Sequence, residues 1–141
     1  NLVIKEKPDF NKDDMKHGLH VHCPSTSIPK DGPSAGGAIC IAIYSFLCDK
    51  FINQEIAMTG EIDLIGRILP IGGLEAKLVG SKKAGIKVAL IPKDNEEQLC
   101  RLRIDDKSPE DDNFKVILVE HINEALPYFF NEQINNILNK T

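Results

Sequence analysis

From Ser34 to about Lys50 nearly every side chain is apolar or small, including Ala35, Ala38, Ile39, Cys40, Ile41, Ala42, Ile43, Phe46 and Leu47. A helix without a polar face belongs in the middle of a domain, so this stretch predicts a central buried helix around which the rest must pack. Pro33 pre-sets φ for a first helical turn. Gly36 and Gly37 are each up to about 1 kcal/mol worse than alanine in a helix, so their presence marks close approach of backbone or ligand at that end. Ser34, directly after Gly32-Pro33, is then placed near backbone N–H groups that a first turn leaves free, where developing negative charge is stabilised.

The remaining segments alternate between the two regular structures. Leu19-His20-Val21-His22-Cys23 has period two and stops at Pro24, which reads as a strand. Lys5 to His17 and Ser25 to Pro33 are polar and Pro-containing, which reads as loop. Glu55–Thr59 and Glu61–Leu69 read as short strands separated by Gly60, with a break at Gly66. Leu74 to Ala84 reads as a helix closed by Gly85. Lys87–Ile91 and Lys115–Val119 read as further strands, and Asp94 or Asn95 as the cap of a helix running to about Arg103. His121 to Phe130 reads as a helix limited by Pro127. The pattern predicts an α/β (α+β) domain. The 141 residues suit one domain, 1–141, with 1–17 as a lead-in and 129–141 as an Asn-rich tail.

Composition narrows the function classes. A formal net charge of −4 leaves no basic footprint for nucleic acid or anionic membrane. No apolar run approaches the roughly 20 residues of a membrane span. Cys23, Cys40, Cys48 and Cys100 form no C-x-x-C pair, and they read as small core residues in a reducing, intracellular compartment: cytoplasm or an organelle matrix. His20 and His22 face the same way on their predicted strand, but no Cys, Asp or Glu joins them at a familiar ligand spacing, so no metal site is expected.

The chemistry-bearing candidates are Ser34 and Lys77. A serine hydroxyl needs a base to take its proton and donors to hold an oxyanion; otherwise it is an ordinary helix cap. At 100° per residue, Leu74, Lys77, Leu78 and Ser81 share one helix face. A lysine within a buried stripe either snorkels to solvent or stays desolvated, and desolvation favours the neutral amine that a base requires. Thr59 and Glu61 flank Gly60, where a hydroxyl could orient that amine. Asp31 could tune the site's charge or simply bond loop amides.

Together these stretches resemble the proteolytic domain of Lon proteases. The match runs in order through Gly18-Leu19-His20-Val21-His22, Pro29-Lys30-Asp31-Gly32-Pro33-Ser34-Ala35-Gly36, Ala57-Met58-Thr59-Gly60-Glu61-Ile62, Leu69-Pro70-Ile71-Gly72-Gly73-Leu74-Glu75-Ala76-Lys77, Ala84-Gly85-Ile86-Lys87 and Leu90-Ile91-Pro92. The resemblance implies Ser34 as nucleophile, Lys77 as general base, Thr59 as a group that helps hold the lysine, and the Ser34-Ala35 backbone as the oxyanion region. It implies a serine endopeptidase acting on unfolded polypeptides, assembled as a hexameric ring. No cofactor is implied within this domain; ATP and magnesium belong to an ATPase module that family members carry upstream and that is not expected within these 141 residues. The family's first strands and helix are likewise expected to be missing ahead of Asn1. Two other readings stay open at this level. One is a phosphate-binding small-molecule kinase, using Pro33 to Gly37 as a phosphate cradle. The other is a non-catalytic module for ring assembly.

Overall fold

Every residue of the run Val88–Pro92 is buried, as in a strand covered on both faces. The computed structural model describes residues 18–22 and 32–130. Its elements are α1 (Gly36–Cys48), β1 (Ile56–Met58), β2 (Glu61–Ile62), β3 (Ile68–Leu69), α2 (Leu74–Lys83), β4 (Val88–Pro92), a 3₁₀ turn (Lys93–Asn95), α3 (Glu96–Ile104), β5 (Lys115–Val119) and α4 (Ile122–Phe130). β1, β4 and β5 form a parallel sheet in the order β1-β4-β5, and β2 and β3 form a separate antiparallel pair. The chain is therefore an α/β domain with both parallel and antiparallel strands.

The period of two along β4 divides the core. Val88 and Leu90 point to one side, into a cluster with Ile41, Ile56, Ile68, Ile122 and Phe129. Ala89 and Ile91 point to the other, against Leu74, Leu78, Leu99, Leu102 and Phe114. Helices thus cover both faces: α1 and α4 on one, α2 and α3 on the other. Each fully buried Leu or Ile contributes about 1.5–3 kcal/mol relative to exposure.

Several expectations change in the structure. α1 begins at Gly36, not Ser34, and it packs on one face of the sheet through Gly37, Ile41 and Tyr44. Its opposite side, with Ala38, Ala42 and the 73%-exposed Phe46, is open. Leu19–His22 are not in a strand; residues 18–22 have no regular structure, because alternation alone supplies no partner edge, and Cys23 lies outside the described residues. α4 continues three residues past Pro127. Pro127 and Asn123, whose carbonyl the proline leaves without an amide, are both exposed to water. Phe129, placed in the tail by the expected boundary at 129, is a core residue. Residues 1–17 and 131–141 lie outside the described residues.

The end of β1 locates the site. Thr59 N–H donates to Leu90 O at 3.1 Å, extending the β1–β4 ladder by one bond. The Thr59-Gly60 turn therefore leaves the sheet at the carboxyl end of its strands, where open α/β sheets present their ligand crevices.

Candidate active site

Ser34 sits on a turn rather than in a helix. Gly36 N–H donates to Pro33 O at 2.9 Å, and Ala35, at φ −89° and ψ −1°, has the third-position angles of a type I turn. Ala35 is the N-cap, and no side chain caps α1; the Ser34 hydroxyl is free of that task.

The turn is lashed to the segment after β1. The Ser34 carbonyl accepts Gly60 N–H at 2.8 Å, and the Gly60 carbonyl accepts Gly37 N–H at 2.9 Å. Thr59 Oγ1 also donates to the Ser34 carbonyl, at 3.3 Å. The approach is close enough to require small residues on both sides. A Cβ on Gly36 would lie 3.1 Å from Ile62 N, and one on Gly60, at φ +150°, would lie 2.4 Å from Ile68 Cγ2. With the Gly36 and Gly37 amides engaged, the Ser34 and Ala35 amides, like that of Ala38, have no backbone partner among the described residues.

Lys77 comes from the first turn of α2, where its N–H donates to Gly73 O at 3.1 Å. Leu74 and Leu78 on the same face are fully buried, which fixes the helix rotation and aims the half-buried Lys77 inward. Lys77 Nζ lies 3.0 Å from Ser34 Oγ, a hydrogen bond bridging 43 residues of sequence. Behind the amine is a cavity of about 40 Å³ lined by Thr59, Lys77, Ser81, Met58, Leu78 and Leu90 among others.

The structure therefore brings Ser34, Lys77, Thr59 and Ala35 together. The placement of Thr59 differs from its expected one. It shares the cavity wall with Lys77, but its hydroxyl bonds the Ser34 carbonyl, and among the described residues no bond joins it to the amine. Glu61 opens β2 opposite Leu69, and no polar contact ties its carboxylate to Ser34 or Lys77 among the described residues. Asp31 lies outside the described residues. His20 and His22 stand edge to face, 6.1 Å apart, and among the described residues no three His, Cys, Asp or Glu gather as a metal site. The phosphate-cradle reading is weakened, because the Gly36 and Gly37 amides it needs are bonded to Pro33 and Gly60 carbonyls.

Asn95 has a different place from the one its sequence suggests. It is at the N-cap of α3 but makes no side-chain cap bond. Its carboxamide instead bonds both backbone groups of Ile71, at 3.0 and 2.9 Å. An Asp-Asn pair at a helix start reads as a cap, and no local signal distinguishes this long-range use. Gly60 could be flagged only as a turn residue, since the Ile68 methyl that restricts it is brought there by β3.

Comparison with known proteins agrees with the motifs. A family model described as the Lon protease (S16) C-terminal proteolytic domain matches residues 3–132. The chain is 46% identical over 112 residues to the Lon protease of Campylobacter jejuni, covering 79% of this chain and 14% of the relative. It is 52% identical over 93 residues to the Lon protease of Buchnera aphidicola, covering 66% and 12%. It is 40% identical over 124 residues to Lon protease 1 of Bacillus subtilis, covering 86% and 15%. The chain thus spans about a seventh of the length of these curated relatives. With the model match spanning nearly all of its length, the chain belongs to the Lon protease (S16) family, as a C-terminal proteolytic domain.

Proposed function

We propose that this domain hydrolyses peptide bonds with Ser34 as nucleophile and Lys77 as general base. The observation that carries this reading is the 3.0 Å contact between Lys77 Nζ and Ser34 Oγ. In the first step Ser34 Oγ bonds to the scissile carbonyl carbon while its proton passes to the neutral Lys77 amine. The carbonyl oxygen becomes an oxyanion, received in this reading by the Ser34 and Ala35 amides, which have no backbone partner among the described residues. Such a donor typically lowers a barrier by about 3–4 kcal/mol. The C–N bond then breaks, and Lys77 returns the proton to the departing amine. Water, deprotonated by the same amine, attacks the acyl ester; the C–Oγ bond breaks and Lys77 returns the proton to Ser34 Oγ.

Thr59 serves this reaction by holding the serine turn rather than the base. Extended, unfolded polypeptide is the substrate class, docked by main-chain bonds on a free strand edge. By family membership, a ring of six copies and an ATP-driven unfolding module complete the whole protease. Exposed Phe46, Leu64 and Ile65 support self-association of the domain. Free Cys40, Cys48 and Cys100 support a reducing intracellular compartment. Among the described residues no helix is long and apolar enough to cross a membrane.

Ser34→Ala and Lys77→Ala in the intact protein test the reading. Each is expected to abolish cleavage of a fluorogenic peptide while leaving the thermal unfolding transition in place. Substantial turnover by either folded variant removes the pair from the chemistry.

A further inference from the structure

Asn95, at 5% exposed, is the one buried carboxamide among the described residues. Its Oδ1 accepts Ile71 N–H at 3.0 Å, and its Nδ2 donates to Ile71 O at 2.9 Å and to Gln98 Oε1 at 3.0 Å. The donor and acceptor on Ile71 fix which way the amide faces. Two opposed bonds to one residue hold a peptide segment as a neighbouring strand does, in position and in plane.

The glycine pair between Ile71 and the buried Leu74 has no packing of its own. Gly72 and Gly73 are exposed, and a Cβ on either would meet nothing within 4 Å. Gly73 has φ +67°, and its carbonyl accepts the Lys77 N–H. The glycine link is therefore the start of the ladder that carries Lys77, and it has no packing of its own. At the other end of the clamp, Asn95 stands three residues beyond Pro92, the last residue of β4. β4 also holds the serine half of the site, through Leu90 O and Thr59 N–H. One strand thus sets the position of both partners.

We propose that Asn95 is a positioning residue for Lys77, its carboxamide clamping Ile71 so that the start of α2 delivers the amine to Ser34. This rests on the reading of Ser34 and Lys77 as the reacting pair. Leu74 and Leu78 fix the rotation of α2; loss of the clamp frees the glycine link at its start and lets the amine move along the helix axis relative to the hydroxyl. Misplacement by about 1 Å is enough to cost roughly 100-fold in rate. Peptide binding does not pass through the amine, so the loss falls on kcat and not on KM.

The test compares Asn95→Ala, Asn95→Asp and Leu102→Ala in the intact protein, each assayed well below its own unfolding transition. Leu102 is buried on the same helix and serves as the control for destabilisation without loss of the clamp. Asn95→Ala is expected to lower kcat for a fluorogenic peptide at least about tenfold with KM nearly unchanged, while Leu102→Ala keeps kcat within about twofold. Asn95→Asp keeps the shape and the acceptor but loses the donor to Ile71 O, so it is expected to lower kcat as well; it carries the test if the alanine variant does not fold. Wild-type kcat in the folded Asn95 variants, with Ser34→Ala and Lys77→Ala dead, overturns the clamp alone. An equal loss in Leu102→Ala also overturns it, by showing that any destabilisation suffices. Turnover retained by Ser34→Ala and Lys77→Ala overturns the underlying pair and the clamp's role with it.

Discussion

Gly60→Ala is the substitution that most directly challenges how the site is held. An alanine Cβ there would lie 2.4 Å from Ile68 Cγ2, more than about 1 Å inside the separation at which carbon atoms settle. Ile68 is buried in β3 within the core cluster around β4, so it has little room to yield. The φ of +150° adds backbone strain. Strain of this kind costs about 1–3 kcal/mol and overpacking about 1–3 kcal/mol more, giving a loss of roughly 2–6 kcal/mol against a typical domain stability of 5–15. Because Ile68 cannot retreat freely, the Gly60 turn shifts. With it go the bonds from Gly60 N–H to Ser34 O and from Gly37 N–H to Gly60 O. Peptide cleavage is therefore expected to fall by one to two orders of magnitude in the fraction that remains folded. Urea unfolding and fluorogenic-peptide kinetics measure the two effects. Ile68→Ala removes the clashing methyl, so the double variant should cost less than the sum of the two single ones by about 1–3 kcal/mol. Wild-type stability and kcat in Gly60→Ala, or strict additivity in the double variant, refutes the steric reasoning.

Thr59→Val removes the 3.3 Å bond to the Ser34 carbonyl but leaves the shorter Gly60 bond. It should cost about 0.5–1.5 kcal/mol of stability and less than about tenfold in kcat; complete inactivation would show that the hydroxyl acts on the chemistry itself. Glu110 supplies a pH dependence. Arg103 forks onto its carboxylate at 2.7 Å through both Nε and Nη2. That contact first, with further bonds from Ser108 and Val116 N–H, holds the carboxyl below the usual glutamate range. A depressed folded value means that the stabilisation is complete above the unfolded glutamate pKa of about 4.3 and is lost as pH falls through the folded value. Partial exposure screens the pair to about 1 kcal/mol. The stability difference between wild type and Glu110→Gln, from urea unfolding, should be level near neutral pH and shrink below about pH 4; a difference independent of pH contradicts it.

The parts of the fold legible in the amino-acid sequence are those set by short-range signals. The apolar run at Val88–Pro92 is legible because burial on both faces demands it. The helical spacing of Leu74, Lys77 and Leu78 is legible because two buried leucines aim the lysine between them. The α1 segment misleads for a matching reason. Apolar composition does not reveal that Ala38, Ala42 and Phe46 face outward, since what covers a face is a tertiary matter. The Leu19–His22 alternation carries strand propensity without a partner edge among the described residues. Thr59 and Asn95 are legible as polar residues near the right places, but their partners are not. Each bonds a backbone group more than 20 residues away, and that choice is made by the packing of β4 against its neighbours.

Covalent capture of the nucleophile tests the central claim most directly. The intact protein is treated with a peptidyl phosphonate, which phosphonylates an activated serine, and the adduct is mapped by mass spectrometry. The expected result is a single adduct on Ser34 that is lost in Lys77→Ala while that variant stays folded. Labelling of Ser34 at an undiminished rate without the lysine, or labelling of a different serine, contradicts the assignment of Lys77 as the base that activates Ser34.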